Sequence, residues 1–153
     1  MTRRWLAAVE DPPTPRHRVL VAVEQAEQAY LVGFAATGEV DEAALAPDED
    51  AEAMLTPDVA SVTDLLVEPR WQRRGHGSRL LAACADLWRA DGFDSAVAWA
   101  FEADPAMIAF LASAGWEPDG VARALDVDDL LVPQIRLHTS VATTPDDTPD
   151  DTP

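Results

Sequence analysis

The stretch "SVTDLLVEPRWQRRGHGSRLLAACADLWRADG" (Ser61 to Gly92) changes its hydrophobic period partway along, and that change limits the folds open to the chain. Ser61 to Val67 is apolar and β-branched, the pattern of a buried strand. From Gly77 onward Leu80, Leu81, Cys84, Leu87 and Trp88 recur at helical spacing, and Gly92 supplies the stop. "SAVAWAF" (Ser95 to Phe101) returns to a strand pattern. Strand, glycine-rich turn, helix and strand in that order bring two parallel strands side by side, with the helix as crossover. The turn between them is the right setting for a phosphate site.

Upstream, "RVLVAVE" (Arg18 to Glu24) and "YLVGFAATG" (Tyr30 to Gly38) read as strands, and the short polar link Gln25 to Gln28 makes them an antiparallel hairpin. Arg3 to Val9 has room for one or two helical turns before "DPPTP" (Asp11 to Pro15), which cannot continue a helix. Asp41 to Asp58, acidic and alanine-rich, is expected to be a mobile connection with at most a helical turn. Downstream, Asp104 before Pro105 predicts a helix start. Met107, Ile108 and Leu111 form its stripe, and Gly115 closes it. "VARALDV" (Val121 to Val127) and "VPQIRLHTSV" (Val132 to Val141) finish the sheet. The expected order is β-β-β-α-β-α-β-β, an α/β fold. Residues 18–141 are its domain, 1–17 a helical stub and linker, and 142–153 ("ATTPDDTPDDTP") a disordered acidic tail.

With 153 residues, 48% of them hydrophobic, the chain can bury the core of one domain. A net charge of −17 argues against nucleic acid, whose binding needs a basic footprint. It suits a cationic partner such as an amine. Part of it is local, since six acidic residues lie in Asp41 to Glu52 and four in the tail. The single cysteine, Cys84, offers neither an internal disulfide nor a metal cluster, and sits on the apolar helix stripe as a core residue. His17, His76 and His138 are scattered, with no metal-ligand neighbours, so no metal is expected. No signal-peptide pattern is seen, and no apolar run approaches the ~20 residues of a membrane span. The default expectation is a cytoplasmic protein that does not engage a membrane.

Against this acidic background "QRRGHG" (Gln72 to Gly77) concentrates positive charge and flexible backbone. Two glycines permit a geometry that exposes successive N–H groups. The helix beginning near Gly77 and Ser78 adds unsatisfied donors and its positive end. Such a loop can cradle a diphosphate without a metal. It can also be an ordinary strand-to-helix turn with exposed arginines.

The run "LLVEPRWQRRGHGSRLL" (Leu65 to Leu81) resembles the acetyl-CoA-binding segment of the GNAT superfamily of N-acetyltransferases. That signature is Gln or Arg, two residues, Gly, one residue, then Gly or Ala. Gln72, Gly75 and Gly77 satisfy it after a strand ending Val67, Glu68, Pro69. "DPAMIAFLASAGW" (Asp104 to Trp116) is similar to the family's second cofactor segment. The resemblance covers Arg18 to Val141 and implies a mixed central sheet with helices on both faces. It also implies an N-terminally shortened domain, because the family's first strand and first helix would precede these elements.

The resemblance further implies acetyl-CoA as co-substrate and direct attack of a primary amine on its thioester. The acceptor would be a small polyamine-like metabolite, an antibiotic amine, or a peptide N-terminus or lysine. Backbone groups of Leu66 and Val67 would pair with the pantetheine arm and polarise the thioester carbonyl. Gln72, Arg73, Arg74, Gly75, His76, Gly77 and Ser78 would hold the pyrophosphate. His76 is expected to face solvent or the phosphates. Asp104 falls where the family often has asparagine, and reads equally as a helix cap.

For the general base, Asp64 is the candidate on its strand. Alternation puts it on the face of Val62 and Leu66, where it could take the amine proton, directly or through water. Glu102 and Asp104 are second choices. Trp71 and Trp99 could line an acceptor pocket or simply pack, and Tyr30 reads as packing. The family's usual thiolate-protonating tyrosine aligns with Leu111. That departure keeps open a catalytically silent acyl-CoA-binding or interaction module. A homodimer is among the assemblies open to such a fold.

Overall fold

The computed structural model describes Leu6 and residues 9–141. The tail and most of the N-terminal stub therefore lie outside the described residues; Leu6, Val9 and Glu10 are helical. Strands β1 (Arg18–Gln25), β2 (Ala29–Glu39), β3 (Val59–Val67), β4 (Ser95–Phe101), β5 (Glu117–Val127) and β6 (Leu130–Ser140) form one sheet, in the order β1-β2-β3-β4-β6-β5. Between them lie helices α1 (Ala51–Met54), α2 (His76–Asp91) and α3 (Pro105–Ser113). Only β3 and β4 run parallel; the other neighbours are antiparallel. This is the expected mixed α/β architecture. Among the described residues no helix is long and apolar enough to cross a membrane.

The helical stripe read from the sequence is the one α2 buries. Leu80, Leu81, Cys84 and Trp88 press onto a floor of small side chains, among them Ala35, Ala60 and Ala98. The large Trp88 fits because those alanines leave it room. Its indole Nε1 donates to Thr37 Oγ1 at 2.8 Å, and that hydroxyl donates to the Ser61 carbonyl at 2.8 Å, so the buried polar atoms are satisfied. α3 adds Leu111 to the same core, and Trp116 meets Trp88 edge to face at 6.1 Å. Cys84 is fully buried there, and burial pushes its thiol up to about 11. It is a core residue.

The opposite face corrects one expectation. The acidic connection 41–58 is docked on the sheet. Val40, Ala44 and Val97 form a second small core with Met54, Leu55 and Val59. The physical reason is Arg136 on β6, whose side chain is only 4% exposed and must be paired. It donates to both Glu49 oxygens, to Asp119 Oδ2 at 2.6 Å and to the Ala44 carbonyl at 3.2 Å. Trp99 Nε1 donates to that same carbonyl at 2.8 Å, and Arg123 Nη1 donates to the Ala43 carbonyl at 2.6 Å. Asp41 and Asp50 cap the short 3-10 turn Glu42–Ala44 and α1. Some of the charge that composition treats as a solvated run is thus partner to a buried guanidinium.

Candidate active site

β3 and β4 pair only over Val59–Val62 and Ser95–Ala98. Beyond that point β3 continues along β2 to Val67, and β4 follows β6 to Phe101. The sheet therefore opens as a wedge in its middle. Its apex coincides with a bulge: Thr37 faces Val62, yet Ala36 faces Asp64, so Thr63 is one residue more than the ladder needs. An extra residue bends the strand and increases its twist, which turns β3 away from β4. Thr63 Oγ1 donates to the Ala36 carbonyl at 3.3 Å across the same irregularity.

The bulge also shifts the alternation of faces. Val62, Leu65 and Val67 pack toward α2, while Asp64 and Leu66 point to the other face and are exposed. Asp64 shares its face with Leu66 as expected, but not with Val62. Period-two counting fails there because it assumes an unbroken ladder. Among the described hydrogen bonds and ion pairs none engages the Asp64 carboxylate. It stands open to solvent beside the wedge.

The wedge leads to the start of α2, which begins one residue earlier than the spacing suggested, at His76. Gly75 is its N-cap, left-handed at φ 82°, and no side chain caps the end. The first turn contains no acidic residue. Its free N–H groups and positive end remain available to an anion. Gln72 Nε2 donates to the Val67 carbonyl at 3.2 Å and ties the loop to the strand end. Arg73 has φ 65°, is exposed, and has no partner among the described hydrogen bonds and ion pairs. Ser78 is exposed one position into the helix. A Cβ on Gly77 would meet Phe110 Cζ at 3.4 Å, so α3 lies close against this end of α2.

Other candidates are placed differently from expectation. His76 is buried at 4% exposure instead of facing solvent or phosphate. Its Nε2 lies 2.5 Å from Glu24 Oε2, which leaves only its backbone N–H for an anion. Arg74 reaches Glu24 Oε1 at 3.3 Å and lies 4.9 Å over the Trp71 ring, which stacks on Tyr30 at 5.9 Å. Asp104 Oδ1 accepts from Met107 N at 3.1 Å, the helix-cap role. Glu102 is exposed at the end of β4. Leu111 is buried, and Trp99 is held under Arg123 at 4.0 Å. Glu24, Thr63 and Arg79 were not singled out from sequence. Only Glu24 left a trace there, as a carboxylate ending an apolar strand.

Residues 2–116 match the Acetyltransferase (GNAT) family. No curated protein matches the chain. Solved structures share the fold. The ribosomal-protein-S18-alanine N-acetyltransferase of Escherichia coli is 17% identical, with a TM-score of 0.67 over 96% of this chain and 81% of that one. The ribosomal-protein-alanine N-acetyltransferase of Brucella melitensis is 22% identical, with a TM-score of 0.66 over 90% and 75%. YncA of Salmonella typhimurium, solved with its cofactor acetyl-CoA, is 18% identical, with a TM-score of 0.63 over 89% and 70%. A glycine-capped helix at the end of an opened strand pair and a family match over most of the sequence agree: the chain belongs to the GNAT family of acetyltransferases.

Proposed function

We propose that this protein transfers an acetyl group from acetyl-CoA to a primary amine. The observation that carries the reading is the wedge between β3 and β4 running into the uncapped start of α2. A pantetheine arm fits an opened strand pair as an added strand, and a diphosphate fits the free N–H groups beyond it. Leu66 and Val67 would supply backbone groups to the arm, and a backbone N–H there would polarise the thioester carbonyl. Backbone N–H groups of Gly75, His76, Gly77 and Ser78, with Gln72, Arg73 and Arg74 around them, would hold the diphosphate.

Acetyl-CoA supplies the acyl group already activated as a thioester. Asp64 then needs only to accept a proton from the amine nitrogen as that nitrogen bonds to the carbonyl carbon and the carbon–sulfur bond breaks. Asp104 contributes by capping α3, which stands against the loop. The acceptor approaches from the face that carries Asp64 and Leu66. Two structural relatives act on ribosomal-protein alanine, so a peptide N-terminus belongs among the acceptors to be tried.

A second reading, a silent acyl-CoA-binding module, is favoured by one observation. Leu111 is buried where a proton-donating tyrosine would stand in the family, and cannot protonate a leaving thiolate. Calorimetry with CoA, combined with free-thiol release over a panel of polyamines, aminoglycoside-type amines and short peptides, decides between them. The expected result is binding in the micromolar to tens-of-micromolar range, about 6–8 kcal/mol, with thiol release for at least one amine. Binding without turnover supports the silent module. No binding at millimolar CoA overturns both readings.

A further inference from the structure

The loop that opens α2 is braced from behind by side chains that no motif contains. Arg79 Nη2 lies 3.0 Å from His76 Nδ1 and 3.3 Å from the Arg74 carbonyl oxygen. An arginine only donates, so His76 Nδ1 must be an acceptor there. The ring proton then sits on Nε2 and is donated to Glu24 Oε2 at 2.5 Å. The other oxygen, Glu24 Oε1, accepts from Arg74 Nη1 at 3.3 Å. Glu24 on β1 is thus joined to loop and helix through two side chains, and Arg79 closes the ring on the loop backbone.

The geometry has a direct bearing on the anion site. A trans peptide points its C=O and its N–H in opposite directions. With the Arg74 carbonyl drawn back to Arg79, the Gly75 N–H is turned away from Arg79. A Cβ on Gly75 would come within 3.1 Å of Arg79 Nη1, so the guanidinium fills the space beneath the loop. Apolar packing between β1 and α2 is incomplete at this point. A cavity of about 250 Å³, bordered by Val21, Val23, His76, Arg79 and Ala83, separates the two elements. The polar link through Glu24 adds to the packing of Leu20 and Ala22 in holding this end of α2 to the sheet edge.

We propose that Glu24 is a positioning residue, which through His76 and Arg79 fixes residues 74–76 in the orientation that receives the diphosphate. This rests on the reading of the loop as the cofactor's anion site. Neither Glu24 nor Arg79 is a ligand of the anion; the carboxylate would repel it, and Arg79 is engaged under the loop. Arg73, which has no partner among the described hydrogen bonds and ion pairs, remains a cation for the anion.

The test compares Glu24→Ala, Glu24→Gln and Arg79→Met with the wild type. Each is assayed for CoA affinity by calorimetry, and for turnover of acetyl-CoA and of an acetyl-pantetheine thioester that lacks the diphosphate. Glu24→Ala and Arg79→Met are expected to weaken CoA by about tenfold, the scale of one lost charge-assisted hydrogen bond. Glu24→Gln should restore most of that affinity, because its amide oxygen still accepts from His76 Nε2. Turnover of the truncated thioester should be the same in all four proteins. A Glu24→Ala protein that binds CoA like the wild type, or one equally impaired with the truncated thioester, overturns the positioning role. So does a Glu24→Gln protein as weak as Glu24→Ala. Arg79 is exposed on the helix, so Arg79→Met tests the same brace even if a Glu24 variant fails to fold. A wild type that binds no CoA overturns the cofactor reading itself, a different outcome from intact binding in the variants.

Discussion

At the scale of single residues, a solvent-open carboxylate and a left-handed glycine stand at the proposed site. Asp64 is exposed and without a described partner, so its replacement disturbs no packing. Asp64→Asn is expected to leave CoA affinity unchanged and to lower kcat/KM roughly a hundredfold at neutral pH, the usual cost of a lost general base. Raising the pH should restore part of the rate, since more of the amine is then deprotonated in solution. Full activity in this variant would move the base to Glu102 or to water alone. Gly75 is constrained twice, by φ 82° and by Arg79 beneath it. Gly75→Ala should cost about 1–2 kcal/mol for the left-handed backbone alone and should weaken CoA as well. Denaturant unfolding and calorimetry on the same sample would show both losses, and intact CoA affinity would remove Gly75 from the anion site.

At the scale of elements, one residue in β3 decides whether the sheet opens. Thr63 is the surplus residue of the bulge, so deleting it keeps Leu65 and Val67 against α2 and Asp64 opposite Ala36. The shortened strand should stay folded, with a melting temperature within several degrees of the wild type. It should lose the bend that separates β3 from β4, and CoA affinity should fall by more than tenfold. Undiminished affinity would mean that the wedge does not depend on the bulge. The elements themselves were legible in the sequence: all six strands and both longer helices follow from periodicity, Gly92, Asp104 and Pro105. The bulge was not, because Thr63 is an ordinary strand residue and the surplus exists only relative to β2. The inward turn of His76 was hidden for a similar reason, as its partner Glu24 is distant in sequence and meets it only in the folded chain. The glycine-capped opening of α2 was legible because it depends on local backbone geometry.

At the scale of the whole molecule, the acidic surplus contributes to folding through Glu49. Its hydrogen bonds from Arg136 hold its carboxyl below the ordinary 4.5 of a glutamate, against the opposing effect of burial. A folded-state pKa below the unfolded one contributes stability in full above about 4.5, and that contribution is lost as pH falls through the lower folded value. Glu49→Gln is expected to cost about 1.5–3 kcal/mol at pH 7, the worth of hydrogen bonds to a charged group. The difference from wild type should shrink as pH falls below about 4.5, and vanish only once the pH has passed below the lowered folded value. Thermal melts of the two proteins across pH 3–8 would show it. A constant difference at every pH would mean that Glu49 acts by packing alone. Arg136 joins the connection 41–58, β5 and β6 in one cluster, so the loss should also loosen that connection on the sheet.

The stack of Tyr30 on Trp71, with Arg74 above it, has an optical consequence. Trp88 and Trp116 are sealed in the core, and Trp99 is fixed beneath Arg123, so their emission should respond little to events at the loop. Trp71 borders the loop and is covered by a guanidinium that an arriving diphosphate would attract. Its fluorescence should shift in colour or intensity as the loop fills, giving a label-free titration signal already built into the chain, and one that Trp71→Phe should diminish.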